Sequence, residues 1–384
     1  MMQQNPATVE TWEPRWSQKN HRAFTQCFRF AFAVAVVLLL ASLAIAPSVL
    51  AQNSASGWVN SGLAKYEKGD LDGAIADFNR AIGIDPKYAP AYNNRGAAKL
   101  IKGDLDGAIA DFNRAIGINP KNALAYYNRG VGKGNKGDLE GAVADYNRAI
   151  EIDPNYALAY YNRGFAKLKK GDLDGAIADF NRAIEINPNN ALAYYNRGVA
   201  KLKKGDLDEA IADFNRAIEI DPKNALAYYN RGNAFQAKGQ FFQAVANLNR
   251  AIELNRNHEY AYLRLLIATW SDRGDASAAM DKLRNHVAAN SSDEWVRTIS
   301  KYYLGIGKLN EQAILAEARK GTDGKKVGER LCEAYYYLGV KRLVGGNRKG
   351  AVEYFTLSID TDIKRFTEYD ASKAMLRLMK EGKI

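Results

Sequence analysis

Small, aromatic and apolar positions of the chain recur with a period of 34 residues between residues 55 and 258. Residues 191–224 show the unit most clearly, with small residues at its eighth, twentieth and twenty-seventh places and an aromatic residue at its twenty-fourth. Short side chains at these places let two helices cross closely, and the proline at the thirty-second place cannot continue a helix. The period therefore predicts six helix–turn–helix units.

Glycine fills the eighth place of every unit: Gly62, Gly96, Gly130, Gly164, Gly198 and Gly232. Between the two helices of a unit stands the sequence Gly-Asp-Leu-Asp or a close variant. Gly205 is expected to end the first helix in the left-handed conformation, and Asp206 is expected to cap the second. Glu209 should complete a capping box with Asp206.

This pattern resembles the tetratricopeptide repeat family. The resemblance implies an all-α fold, a right-handed superhelical solenoid of helix–turn–helix repeats that spans six regular units over residues 52–258. A solenoid presents a long concave surface, and in this family that surface usually binds another protein.

Residues 259–384 keep the repeat only in degenerate form. Two partial units follow directly, the second over about 295–318. A polar loop at 322–329 precedes a better unit that begins near Cys332. A last helix over about 366–379 is expected to cap the open end, since terminal repeats must face water.

The segment ERLCEAYYYLGVKRLVGGNRKGAVEYFTLSID and the layout around it resemble the NlpI family of exported repeat proteins of the bacterial envelope. That resemblance implies an adaptor that brings peptidoglycan hydrolases and an envelope protease together. The chain differs from the family in lacking the lipidation cysteine and in having longer, more regular repeats.

Residues 1–51 carry the features of a targeting segment. Four basic residues precede an apolar run from Phe30 to Ala46, and Val49-Leu50-Ala51 forms a small-residue cleavage site. We expect a secretory signal peptide that is cut after Ala51. The apolar run is just long enough to span a bilayer, so an uncleaved inner-membrane anchor is the alternative. Both interpretations place the repeats in the periplasm.

Composition and charge favour a binding protein without cofactor, metal or nucleic-acid partner. The chain has 54 basic and 43 acidic residues, and no long basic run appears among them. Beyond the targeting segment the one cysteine is Cys332, which excludes an internal disulfide and is expected to be a small buried residue. His258 and His286 have no neighbouring catalytic or metal-ligand pattern, so no enzyme activity is predicted. Homo-oligomerisation is left open.

An asparagine stands at the sixth place of every unit. In this family that place faces the concave groove, where a row of amides could bind the backbone of an extended peptide. The row resembles the asparagine ladder of O-linked N-acetylglucosamine transferases. The alternative is a consensus residue that bonds within its own helix pair. The row consists of Asn60, Asn94, Asn128, Asn162, Asn196 and Asn230.

Tyrosine stands beside this row, at the fifth place of four consecutive units, and leucine stands at the second place of the same units. Tyrosine offers contact area and a hydroxyl group at low entropic cost. A peptide-binding groove is therefore predicted over about 123–235, with packing between neighbouring units as the alternative. The tyrosines are Tyr127, Tyr161, Tyr195 and Tyr229.

Two further features concern stability. Arginine at the seventh place, lysine at the eleventh and aspartate at the twenty-third predict repeated ion pairs across the helices. Gly132 and Gly134 should weaken the first helix of the third unit, because glycine in a helix costs about 1 kcal/mol relative to alanine.

Two functions remain after this reading. The first is an exported scaffold or adaptor that grips an extended partner segment in its concave groove, in envelope biogenesis or proteolysis. The alternative is a structural subunit of a periplasmic or export assembly.

Overall fold

The computed structural model describes residues 54–272, 275–289, 293–363 and 367–384. All regular secondary structure in these ranges is helical. The predicted signal segment and its cleavage site lie outside the described residues. Within those residues, none of the helices combines the length and the apolar character that a membrane crossing requires.

Residues 55–254 form six units, each with a first helix, here called A, and a second helix, called B. The A and B helices of successive units are α1 Ala55–Glu67 and α2 Leu71–Ile84, α3 Ala89–Lys102 and α4 Leu105–Ile118, α5 Ala123–Asn135 and α6 Leu139–Ile152, α7 Ala157–Lys170 and α8 Leu173–Ile186, α9 Ala191–Lys204 and α10 Leu207–Ile220, and α11 Ala225–Lys238 and α12 Phe241–Leu254.

Seven more helices follow: α13 Glu259–Ser271, α14 Ser277–Ala288, α15 Glu294–Leu304, α16 Glu311–Ala318, α17 Gly324–Val344, α18 Arg348–Asp360 and α19 Thr367–Lys380. The predicted loop at 322–329 is largely wrong, because α17 already begins at Gly324. The reason is an N-cap: the side chain of Asp323 accepts hydrogen bonds from the backbone N–H groups of Lys325 and Lys326.

The predicted close crossing of A and B helices is confirmed. A Cβ atom built on Gly198 would lie 2.8 Å from Cε1 of Phe214, which is fully buried. The alanines of the same crossing, Ala210 and Ala217, are also fully buried. The 34-residue repeat of small residues is thus the repeat of one backbone contact.

The turn between the helices is confirmed in part. Gly205 has φ +90°, and the side chain of Asp70 accepts a hydrogen bond from the backbone of Gly73 at 2.9 Å. Asp206 makes no such bond, so the predicted capping box with Glu209 is wrong. In the turns where the aspartate caps, glycine stands three places later, and a Cβ on Gly73 would stand 2.1 Å from Asp70 Oδ2. Glu209 has that Cβ, and its carboxylate pairs with Lys201 at 3.1 Å.

The apolar core changes character along the chain. In the first five units it is divided into small clusters, such as the one around Phe78 and the one around Phe214. From Ala244 onward one continuous cluster extends to Met379. The last helix, α19, closes these C-terminal units and also folds back against α11 of the sixth unit.

Candidate functional site

The A helices form the inner surface of the solenoid. Each A helix of the array contacts the next A helix, whereas neighbouring B helices of the described residues make no comparable contact. Leu192, Tyr195, Val199 and Leu202 follow one another on α9 at helical spacing, so they share one face of that helix. The hydroxyl of Tyr195 accepts a hydrogen bond from Asn230 of the next A helix, which identifies this face as the concave one.

The asparagine and tyrosine rows are joined to each other. In units 4 to 6 the side-chain amide of the asparagine donates a hydrogen bond to the tyrosine hydroxyl of the preceding unit. The N···O distances are 2.8 Å for Asn162 to Tyr127, 2.9 Å for Asn196 to Tyr161 and 2.8 Å for Asn230 to Tyr195. The bond therefore ties neighbouring units together, and the two rows form one chain of contacts along the groove.

The third unit makes a similar contact with the preceding unit without a tyrosine. The second unit has Asn93 in place of tyrosine, and the amide of Asn128 donates to the Oδ1 atom of Asn93 at 3.1 Å instead. The contact between units is thus preserved with a different partner. The sequence predicted a bond to peptide or, as the alternative, a bond within one helix pair, and the partner in the preceding unit was not predicted.

Burial differs along the asparagine row. Asn128, Asn162 and Asn196 are 0, 4 and 4% exposed, whereas Asn94 and Asn230 are half-buried and Asn60 is exposed. The middle of the row therefore lies beneath the groove surface. Peptide binding by these asparagines stays a prediction.

The tyrosines are covered to different degrees. Tyr127 and Tyr195 are buried, while Tyr161 and Tyr229 are half-buried. The ring of Tyr195 lies 6.0 Å from that of Phe214, and burial raises the pKa of its hydroxyl well above the usual value. A neutral phenol that both packs and hydrogen-bonds stabilises the contact between units.

Half-buried apolar side chains form a stripe along the concave face of the A helices, here called the concave stripe. Leu158 and Leu192 hold the second place of their units, and Phe165 and Val199 hold the ninth. Sequence reasoning identified the leucines but missed the ninth place. The helical spacing from the second to the ninth place, two full turns, could have revealed it.

The predicted ion pairs across the helices are confirmed. The guanidinium of Arg197 binds both carboxylate oxygens of Asp213, at 2.9 and 2.6 Å, and Lys201 contacts Asp213 at 3.0 Å. Arg197 also donates to Asn181 of the preceding unit at 2.7 Å. This arrangement recurs in units 2 to 4, so a second polar row lies parallel to the first.

The helices α13 and α14 form a seventh unit, whose sixth place holds Arg264, 34 residues after Asn230. Its guanidinium is 2% exposed and pairs with Glu368 of α19 at 2.9 Å. It also donates to the hydroxyl of Tyr336 at 2.8 Å. Sequence reasoning missed this residue because the unit looked degenerate, although the period alone places it in the row.

The remaining reactive side chains are buried or stacked. Cys332 is fully buried on α17, and burial raises the pKa of its thiol to about 11. His258 stacks on Tyr229 and His286 on Tyr262, with ring centroids 4.2 and 4.3 Å apart. Across the described ranges, no three His, Cys, Asp or Glu side chains come together in a way that could hold a metal ion.

Comparison with known protein families agrees with this architecture. A sequence model described as TPR repeat matches residues 62–100, 98–131, 135–171, 166–205 and 200–239, and one described as tetratricopeptide repeat matches residues 225–258. Together these matches span about half of the chain, and the chain belongs to the tetratricopeptide repeat family. Proteins of this family bind other proteins or peptides and are generally non-enzymatic scaffolds.

Several solved structures are similar to parts of the chain. The MamA protein is 30% identical over 44% of this chain and 93% of its own, with a TM-score of 0.40. YrrB, described as a TPR protein with an unusual peptide-binding site, is 27% identical over 48% and 95%, with a TM-score of 0.44. PilF of Pseudomonas aeruginosa is 16% identical over 55% and 94%, with a TM-score of 0.50, and shares the fold.

Proposed function

We propose that the chain is an exported adaptor that holds an extended segment of a partner protein on the concave face of units 3 to 5. The observation that carries this proposal is the continuous stripe of half-buried leucine, phenylalanine and valine on neighbouring A helices. The stripe offers apolar contact area, and the asparagine and tyrosine rows beneath it hold its helices in register.

Export and envelope function rest on different support. The basic and apolar pattern of residues 1–51 supports export. The likeness of residues 329–360 to the NlpI family supports an envelope role, with peptidoglycan hydrolases or an envelope protease as partners. Mass spectrometry of the protein from its native host should find Gln52 at the N-terminus. An intact chain in the inner membrane would instead support the anchor.

Site-specific photo-cross-linking in the native host tests the groove. A photoreactive phenylalanine analogue is placed at Phe165 or Val199 on the concave stripe. The matched controls are Arg182 and Arg216, which lie exposed on the B helices α8 and α10. We expect cross-links to partner proteins from the two concave positions and none from the two controls.

The structural-subunit function is the second candidate. Phe242 favours it, because this large apolar side chain is 74% exposed on α12, a B helix. If the protein packs into a fixed assembly, cross-links should come from Arg182, Arg216 or Phe242 rather than from the groove. That result would replace the adaptor proposal.

A further inference from the structure

The last helix, α19, lies on the inner surface of the C-terminal units. It contacts the A helix α11 as well as α17 and α18. Arg377 of α19 donates to the backbone carbonyl of Ala237 at 2.5 Å, near the end of α11. A Cβ on Gly239 would stand 2.9 Å from Leu378 of α19. Since the A helices form the concave face, α19 covers part of that face at the sixth unit.

A carboxylate in the first turn of α19 meets a cation of the seventh unit. Glu368 is buried against Arg264, which occupies the asparagine place of the seventh unit. Burial lowers the pKa of Lys203 on α9, and the charges of Asp370 and Glu368 act in the opposite direction. Burial opposes the charge of Lys203, so the ion pair of Glu368 with Arg264 is what holds the N-terminal part of α19 on the seventh unit.

The surface beneath α19 is unlike the upstream stripe. On α11 the ninth and twelfth places hold Asn233 and Gln236, where α9 has Val199 and Leu202. Gln236 is buried, and within the described residues neither atom of its amide has a hydrogen-bond partner. The same holds for the hydroxyl of Ser372 on α19. Unpartnered buried polar groups cost free energy, so α19 is imperfectly matched to the face it covers.

We propose that the concave face of units 5 to 7 is a helix-binding site that α19 occupies when no partner is bound. The partner it fits is an amphipathic helix of another protein, with a carboxylate in its first turn at the place of Glu368. Apolar residues of the partner take the places of Met375, Leu378 and Met379, which are buried in the present structure. This inference rests on the proposed function and specifies the partner for the downstream part of the groove.

The test uses a fluorescent peptide with the sequence of residues 366–381 as the probe and fluorescence anisotropy of the purified protein as the measurement. Glu368→Gln weakens the binding of α19 to the concave face but leaves Arg264 in place to bind the carboxylate of the probe. We expect this variant to bind the probe at least tenfold more tightly than the unchanged protein does. Glu353→Gln, on the exposed surface of α18, is the matched control and should bind like the unchanged protein.

A second variant tests the inference in case Glu368→Gln does not fold. Arg377→Ala removes the contact with Ala237 at the other end of α19 and leaves the buried ion pair intact. It should also bind the probe more tightly than the unchanged protein does. A probe with Gln in place of Glu368 should bind neither variant.

Two results would overturn the inference: equal affinity of the unchanged protein and both variants for the probe, or absence of binding to all three. A dimer that exchanges α19 between copies, detected by light scattering, would replace the partner helix with a second copy of the chain. These results do not depend on the cross-links from Phe165 and Val199, so the inference and the proposed function can fail separately.

Discussion

The first five units and the C-terminal region bury their apolar residues in different ways. In the regular units, small apolar clusters alternate with polar rows that join each unit to the next. In the C-terminal region one apolar cluster runs without interruption, and α19 brings residues together that are 104 positions apart in the chain, as in the pair of Arg264 with Glu368.

The difference concerns how stability is distributed. In a regular solenoid, stability is approximately a sum over units and their nearest neighbours, so damage stays local. A continuous core closed by a distant helix couples several units, so damage there should spread. The sixth place of the unit illustrates both kinds of coupling. In the regular units its asparagine bonds to the neighbouring unit, as Asn196 does. In the seventh unit Arg264 holds this place and forms an ion pair with the distant Glu368.

Arg264→Ala should have the largest effect, because it leaves the carboxylate of Glu368 buried without its partner. Losses of this kind are about 3–5 kcal/mol. The matched change in the array, Asn196→Ala, removes one hydrogen bond and should cost about 1 kcal/mol. Urea unfolding of the purified variants gives both free energies. The double change Arg264→Ala with Glu368→Gln should recover much of the loss, and failure to recover would show that the ion pair is not its cause.

Gly198→Ala should cost about 1–3 kcal/mol, because the added methyl group would overlap the buried ring of Phe214. Gly83→Ala on α2 is the control, since a Cβ there meets nothing within 4 Å. Hydrogen exchange should show the loss from Gly198→Ala confined to the fifth unit and its neighbours. A loss spread over the whole chain would contradict the nearest-neighbour description of the array.

The stability of the C-terminal region should depend on the protonation of Asp370. Burial raises the pKa of its carboxyl to about 6, and Lys203 acts in the opposite direction. The folded state therefore holds this proton more tightly than the unfolded state does. The resulting stabilisation, on the order of 1–3 kcal/mol, is present below about pH 4 and is lost as the pH rises through about 6.

Asp370→Asn removes this titration. The difference in unfolding free energy between the unchanged protein and the variant, measured from about pH 4 to pH 7, should fall with rising pH. Burial also raises the pKa of Glu333, but that group titrates in both proteins and cancels in the difference. A difference independent of pH would show that Asp370 is exposed in solution.

The smallest effect is expected at the weak helix of the array. Gly134→Ala should stabilise the third unit by up to about 1 kcal/mol, because the new Cβ would lie at an ordinary 3.7 Å from that of Ala142. Gly132→Ala should gain less, since its Cβ would stand 3.1 Å from Ile109. Without these changes, amides at 126–137 should exchange faster than those at 194–205. Equal exchange rates would refute the weakness of this helix.

Much of the array was predictable because its determinants are local. The 34-residue period, the crossing glycines and the ion pairs across the helices all depend on residues within one unit. The predicted capping box with Glu209 was wrong for a local reason: in the capped turns between A and B helices glycine stands three places after the aspartate, whereas Glu209 carries a Cβ there. The start of α17 was also predicted wrongly, because its cap, Asp323, stands in a polar segment whose composition is typical of a loop.

The candidate site was predicted less completely, because its residues act between units. The sequence identified the asparagine and tyrosine rows, but it did not show that Asn162 bonds to Tyr127 of the preceding unit. Nor did it show that the middle of the asparagine row is buried while the half-buried stripe around Phe165 and Val199 lines the groove. Those facts depend on how the A helices of neighbouring units approach one another.

The sequence by itself determined the repeat, its two helices, its turn and the family, since each follows from the spacing of small, aromatic and turn-forming residues. Only the tertiary structure decided where α19 lies and which residues pair with it. The physical reason is distance along the chain: the contact of Arg264 with Glu368 joins segments that no short-range pattern connects. It forms because α19 packs against α11 of the sixth unit as well as against α17 and α18, its neighbours in the chain.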